Sequence, residues 1–214
     1  MITPSPVLDT IFSRRSVRRF CDHPISKEKL ERLVEAATYA PSPLNNQPWR
    51  FVVITKRATI AQIAELVREK VAAIERSVAI TARSDYLRYR DNALFFAQAG
   101  ALVIVLMKPV SGDAKGHFWG VPGFFANEAR ARGDIMAIGA ACQNILLAAE
   151  SLGLVTCLMH YPLVANDSVR ALLNIVSPWE VMAYIPVGIR TEPSPEAPGR
   201  RSSTKVSEFI VEET

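Results

Sequence analysis

Two arginine-rich stretches and one amide-rich segment hold the side chains whose types and spacing suit chemistry. The first stretch is RRSVRRF, residues 14–20. Arg14 and Arg18 stand four apart, so they share a face of a helix and also a face of an extended segment; Ser16 joins them in the extended case. Two guanidinium forks and a hydroxyl make a receptor for a phosphate dianion, because the forks match its oxygens. The same composition returns in GRRSSTK, residues 199–205. Taken alone, each cluster also reads as a solvated basic turn or tail; the two serve one phosphate only if the fold brings them together. The third stretch, APSPLNNQPWRF at residues 40–51, sets three prolines, Asn45, Asn46, Gln47 and Trp49 between apolar runs. A plain connection is built from Gly, Ser or Asp. Side-chain amides in a row offer the paired donors and acceptors that read the edge of a heterocycle with alternating N–H and C=O groups. Turn formation and packing of the tryptophan are the plainer reading.

Other chemistry is sparse. His23, His117 and His160 lack metal-ligand spacing. Cys21, Cys142 and Cys157 are odd in number and contain no C-x-x-C, which argues against zinc and disulfide frameworks and for buried thiols in a reducing cytoplasm. No G-x-S-x-G, Walker loop or G-x-G-x-x-G is present. Places to hold a phosphate and a ring, without an evident nucleophile or acid–base pair, suit an enzyme whose cofactor carries the chemistry.

The elements that must position these residues are legible from periodicity. Residues 7–13 read as a short helix, and Ser26 caps a second in which Leu30, Leu33, Val34 and Ala37 line one face. FVVIT (51–55) is a buried strand, followed by a long amphipathic helix through Ile60, Ile63, Val67, Val71 and Ile74. The run ALFFAQAGALVIVLM (93–107) is too short to span a membrane and reads as entry into a core strand. Asp134 is expected to cap an apolar helix that runs to about Leu152, buried on nearly every side, with Gly153 placed to stop it. A strand at 154–159, a short helix near 167–175, a strand at 181–187 and an extended VSEFIVE follow. Residues 76–92 and 108–133 are irregular and have no assigned role. The expected class is α+β, one domain over residues 1–214.

Across 214 residues, 49% are hydrophobic and 21% charged, enough for a sizeable core. The net charge of +4 and pI of about 9.1 are mildly basic, without the continuous basic stripe expected of a nucleic-acid binder. The N-terminus has no apolar secretion segment, and neither a membrane nor nucleic acid is expected as a partner.

In order along the chain, RRSVRRF, AATYAPSPLNNQPWRFVVI, QNILLAAESLGLVTCLM and IPVGIR with its basic tail resemble the FMN-dependent nitroreductase family. The likeness runs from about residue 11 to the C-terminus. It implies a mostly antiparallel sheet surrounded by helices, in an intertwined homodimer with C-terminal strand exchange and two FMN sites at the interface. By position, Arg14, Arg15, Ser16 and Arg18 would contact the FMN phosphate and ribityl chain. Pro41, Ser42, Pro43 and Asn45, with Gln47 beside them, would line the flavin from the partner subunit. Leu158, Met159, His160 and Tyr161 would lie against the isoalloxazine, with a backbone N–H near its reactive N5. Arg200 and Arg201 would add a second phosphate clamp, with Lys205 as a further candidate cation. No side chain is assigned as a catalytic acid or base. The implied activity is NAD(P)H-dependent reduction of nitroaromatics, quinones or similar small electrophiles by ping-pong hydride transfer. Flavin-destroying, dehalogenating and dehydrogenating relatives are the alternatives within the family; a flavin-free basic binding module is the alternative outside it. Where relatives carry a small residue or Glu beside the flavin, this chain has His160 and Tyr161, which leaves substrate preference open.

Overall fold

The computed structural model of the chain describes residues 5–77, 86, 87, 90, 92–109, 123–191, 193 and 196–208. Residues 78–85, 88, 89, 91 and 110–122 of the two unassigned stretches, and the VSEFIVE segment from residue 209 onward, lie outside the described residues.

The centre is strand β3 (Ala101–Met107), every residue of which is buried. It pairs antiparallel with β2 (Trp49–Ile54) on one side and β5 (Glu180–Arg190) on the other. The far edge of β5 is shared by β1 (Phe20–Cys21) and β4 (Val155–Thr156), both antiparallel to it. The observed class is thus the expected one, a mainly antiparallel sheet with helices around it. An uninterrupted apolar strand requires cover on both faces. Val103 and Val105 face α2 (Lys27–Thr38) and α4 (Gly123–Ser151), whereas Leu102, Ile104 and Leu106 face α3 (Arg57–Glu75) and α5 (Asn166–Leu172).

Helix α2 starts where Ser26 Oγ accepts the Lys29 N–H at 3.4 Å and buries Leu30, Leu33 and Ala37. Helix α4 ends at Gly153, whose φ of +71° suits glycine and allows Leu154 N–H to reach back to the Ala149 carbonyl at 2.8 Å. Its start differs from expectation. Asp134 does not cap it; the helix begins at Gly123, and Asp134 lies within it, only 1% exposed. Nor is α4 buried on all sides: Ile135 and Met136 face outward, together with Val7 and Phe12 of α1 (Pro6–Ser13) and Leu44.

The expected strand 154–159 forms its ladder at two residues only. Val155 and Thr156 pair with Gly188 and Val187, and in the same register Cys157 comes opposite Pro186, which has no N–H to donate. Pairing resumes one step on, where Met159 and Tyr184 exchange both backbone hydrogen bonds, at 2.9 and 3.0 Å.

Candidate functional site

That alternation decides what the segment presents. In an antiparallel pair, successive residues direct their N–H and C=O groups to opposite edges. Val155 and Met159 are spent on β5, so the N–H groups of Leu158 and His160 point away from it. Thr156 uses the same outer edge: its carbonyl accepts the Val17 N–H at 3.0 Å, and Ser16 lies alongside Thr156 in a parallel bridge. The arginine-rich stretch is therefore extended, not helical, and it docks on the edge that carries Leu158 and His160. The arginine-rich stretch and the Leu158–Tyr161 segment are brought together.

Within the cluster the arginines differ. Arg14 closes α1, with its backbone N–H on the Thr10 carbonyl at 3.1 Å, and is half-buried. Arg15 folds back on that helix, its Nη1 donating to the carbonyls of Phe12 at 2.6 Å and Arg14 at 2.9 Å. Arg18 is exposed, with its guanidinium 5.8 Å from the centre of the Phe95 ring and Nη1 3.3 Å from the Ser16 carbonyl. Cys157 lies beneath. Burial raises its thiol pKa, while the positive charges of Arg18 and Arg14 and a hydrogen bond with Ser16 pull it back. Met159 is buried, Leu158 half-buried, and His160 and Tyr161 are exposed at the entry to a 3₁₀ turn over Tyr161–Ala165.

The loop 41–47 folds onto α4. Gln47 N–H donates to Ser42 Oγ at 3.0 Å, and Pro43–Asn45 form a 3₁₀ turn. Asn46 does not offer its amide to a ligand as its sequence neighbours suggested. Its Oδ1 accepts from Arg130 at 2.9 Å and its Nδ2 donates to Asp134 Oδ1 at 3.4 Å. Asn45 and Gln47 remain exposed, as does Pro41, with Ser42 and Pro43 half-buried. Among the described residues the loop's hydrogen bonds run within itself and to α4. Arg200, Arg201 and Lys205 are exposed, and among the described residues no hydrogen bond or ion pair joins them to the first cluster. One chain thus assembles one of the two expected halves. The roles of Arg130 and Asp134 were missed in the sequence, where nothing links them to residue 46.

Among the described residues no cluster of His, Cys, Asp or Glu has the arrangement of a metal site, and no helix is long and apolar enough to cross a membrane.

The arginine-rich stretch thus lies beside an edge of outward-facing backbone N–H groups, on an antiparallel sheet wrapped by helices. The model of the Nitroreductase family matches residues 11–189, and the chain belongs to that family of flavoprotein oxidoreductases. Among its relatives, a nitrobenzene nitroreductase from Ectopseudomonas oleovorans is 28% identical over 97% of each chain. Iodotyrosine deiodinase 1 from Rattus norvegicus is 26% identical over 84% of this chain and 60% of its own length. Of solved structures, a BluB-like flavoprotein from Clostridium difficile 630 superposes with a TM-score of 0.82 at 27% identity, covering 97% of this chain and all of that one. A putative nitroreductase in complex with FMN from Desulfovibrio desulfuricans superposes at 0.67 with 26% identity over 99% of both.

Proposed function

We propose that this chain is an FMN-dependent oxidoreductase that takes hydride from NADH or NADPH and passes it to a nitroaromatic, a quinone or a similar small electrophile, as a cytoplasmic homodimer whose subunits are each one FMN-binding domain. The observation that carries this reading is the Ser16–Thr156 bridge. It puts Arg14, Ser16 and Arg18 at one end of an edge whose next outward donors are the N–H groups of Leu158 and His160. A phosphate at the arginines would leave its attached ring system to run along those donors. When bound, FMN supplies the hydride chemistry for which the chain has no side chain of its own.

The protein's part is binding and orientation. Arg14 and Arg18 neutralise the phosphate, and Arg200 and Arg201 add charge if the tail closes over it. The N–H of His160 would donate to the bound flavin, while its exposed imidazole would meet the substrate and select among acceptors, with protons drawn from water. The loop Pro41–Gln47, whose hydrogen bonds turn away from its own chain's edge, lines the partner's flavin through Asn45 and Gln47. Three features support the dimer. Phe12, Ile135 and Met136 are 67%, 53% and 75% exposed on helices that pack together. Among the described residues no strand pairs with the outer edge of β2, and VSEFIVE of a partner has the composition to add one there.

Reductive dehalogenation is the second reading, favoured by the deiodinase relative. Anaerobic addition of NADH and of NADPH to FMN-loaded protein, followed by a panel of nitrobenzene, a benzoquinone and an iodophenol, tests both. Bleaching by a pyridine nucleotide and recovery of colour with the nitro compound or quinone supports the first. Recovery with the iodophenol alone, releasing iodide, supports the second. A flavin that neither nucleotide bleaches overturns the proposed reductant.

A further inference from the structure

The conformation of the loop 41–47 is not one its own residues prefer. Leu44, Asn45 and Gln47 all have positive φ, at 51°, 55° and 48°. Asparagine tolerates this region, but leucine and glutamine do not. Leu44 gains nothing in return from burial, since it is 68% exposed. Such strain persists only where the surroundings over-determine it.

The surroundings are one face of α4. Arg130, Gly133 and Asp134 stand at i, i+3 and i+4, and so project together. Gly133 leaves room for the loop: a Cβ there would lie 2.6 Å from Pro43 Cγ. The other two grip Asn46 with matched polarity, the cation on its carbonyl oxygen and the carboxylate on its amide nitrogen. Asp134 is 1% exposed, and its second oxygen, Oδ2, has no hydrogen-bond partner among the described residues. A buried carboxylate needed only to fill space is better replaced by an apolar residue. Its burial beneath the loop, with one oxygen on Asn46, points to a function of the pair.

We propose that Asn46 is a positioning residue: Arg130 and Asp134 clamp its amide, and the clamp holds Leu44, Asn45 and Gln47 in the left-handed conformation that presents Asn45 and Gln47 outward. The consequence for flavin binding rests on the FMN reading above; the clamp itself does not. Two neighbouring asparagines then do different work, Asn45 toward the ligand and Asn46 toward the helix.

The loop offers a ligand-free readout, because three of its amides are protected: Asn45 N–H by the Ser42 carbonyl, Asn46 N–H by the Pro43 carbonyl and Gln47 N–H by Ser42 Oγ. Hydrogen exchange at these amides should be measured in the flavin-free protein, alongside the FMN dissociation constant, for Asn46→Ala, Asn46→Asp, Asp134→Asn and the pair Asn46→Asp with Asp134→Asn. Asn46→Ala should speed exchange of the three amides by about tenfold and weaken FMN about as much, since hydrogen bonds to charged groups are lost. Asn46→Asp should do worse, because two carboxylates then face each other. Adding Asp134→Asn should restore both readouts to within about threefold of the parent, since the amide and the carboxylate have merely exchanged places. Asn45→Asp, which keeps a residue that tolerates positive φ, should weaken FMN and leave the exchange of Asn46 and Gln47 within about threefold of the parent. Parent-like exchange in Asn46→Asp, or failure of the paired exchange to restore it, overturns the clamp whether or not FMN binds. Restored exchange in a protein whose parent binds no FMN would sustain the clamp and remove the FMN reading. Because Asn46 is exposed, its variants carry the test even if Asp134→Asn alone folds poorly.

Discussion

Arg14→Ala isolates the phosphate contact from the fold. The residue ends α1 through its backbone N–H, which donates to the Thr10 carbonyl at 3.1 Å, and alanine keeps that bond. The side chain is half-buried and makes no hydrogen bond within the described chain, so its loss should cost little stability. A charge-assisted hydrogen bond is worth about 1.5–3 kcal/mol, and the half-exposed setting favours the lower end. That converts to a roughly tenfold to hundredfold rise in the FMN dissociation constant. Arg15→Ala is the internal contrast. Its guanidinium already serves the carbonyls of Phe12 and Arg14, so the variant should lose about 1 kcal/mol of stability and less FMN affinity. The assay is fluorescence titration of the flavin-free protein with FMN and, separately, with riboflavin, which lacks the phosphate. Arg14→Ala should weaken FMN while leaving riboflavin within about twofold of the parent, and the difference should shrink as salt screens the pair. Equal loss for both flavins, or no loss for FMN, would show that the phosphate is elsewhere.

Substitution of His160 should separate backbone from side chain: His160→Ala keeps flavin reduction by the pyridine nucleotide near the parent rate and changes which acceptors turn over, whereas His160→Pro, lacking the N–H, damages both. A hundredfold fall in turnover for His160→Ala, with FMN bound and reducible, would instead make the imidazole the proton donor. Sedimentation at micromolar concentration should find a dimer, and Met136→Lys, which charges an exposed apolar position on α4, should weaken it; a flavin-loaded monomer of the parent protein would contradict the proposed site. Burial raises the Cys142 thiol from 9.0 to about 11, so the native chain keeps this proton where the unfolded chain releases it. Stability should therefore fall as pH rises from 9 to 11, by about 2 kcal/mol, and denaturant titrations of Cys142→Ala should show a flatter dependence over that window.

How far the sequence reached depended on whether a residue's job is local. The strand ALVIVLM, the Ser26 cap and the Gly153 stop were legible because periodicity and capping chemistry lie within a few residues. The start of α4 was not: the polar, arginine-rich segment before Asp134 hides the helix, and an Asp preceding an apolar run reads as a cap. Only the contact with Asn46, 88 positions away, explains why it sits buried within the helix. Similarly, the break in the 154–159 strand is set by Pro186 on a different strand. In the site, the spacing of Arg14, Ser16 and Arg18 fitted a helix and an extended segment alike, and the Ser16–Thr156 bridge selects the extended form. Composition could not divide the labour between Asn45 and Asn46, nor show that Arg15 turns back on α1, because both follow from the path of the chain.

The most direct test is the flavin content of the purified, FMN-reconstituted protein after gel filtration. Acid precipitation should release free FMN at one equivalent per chain, with the flavin absorption bands lost from the pellet. Protein that stays colourless after incubation with FMN, and releases none, would contradict the account.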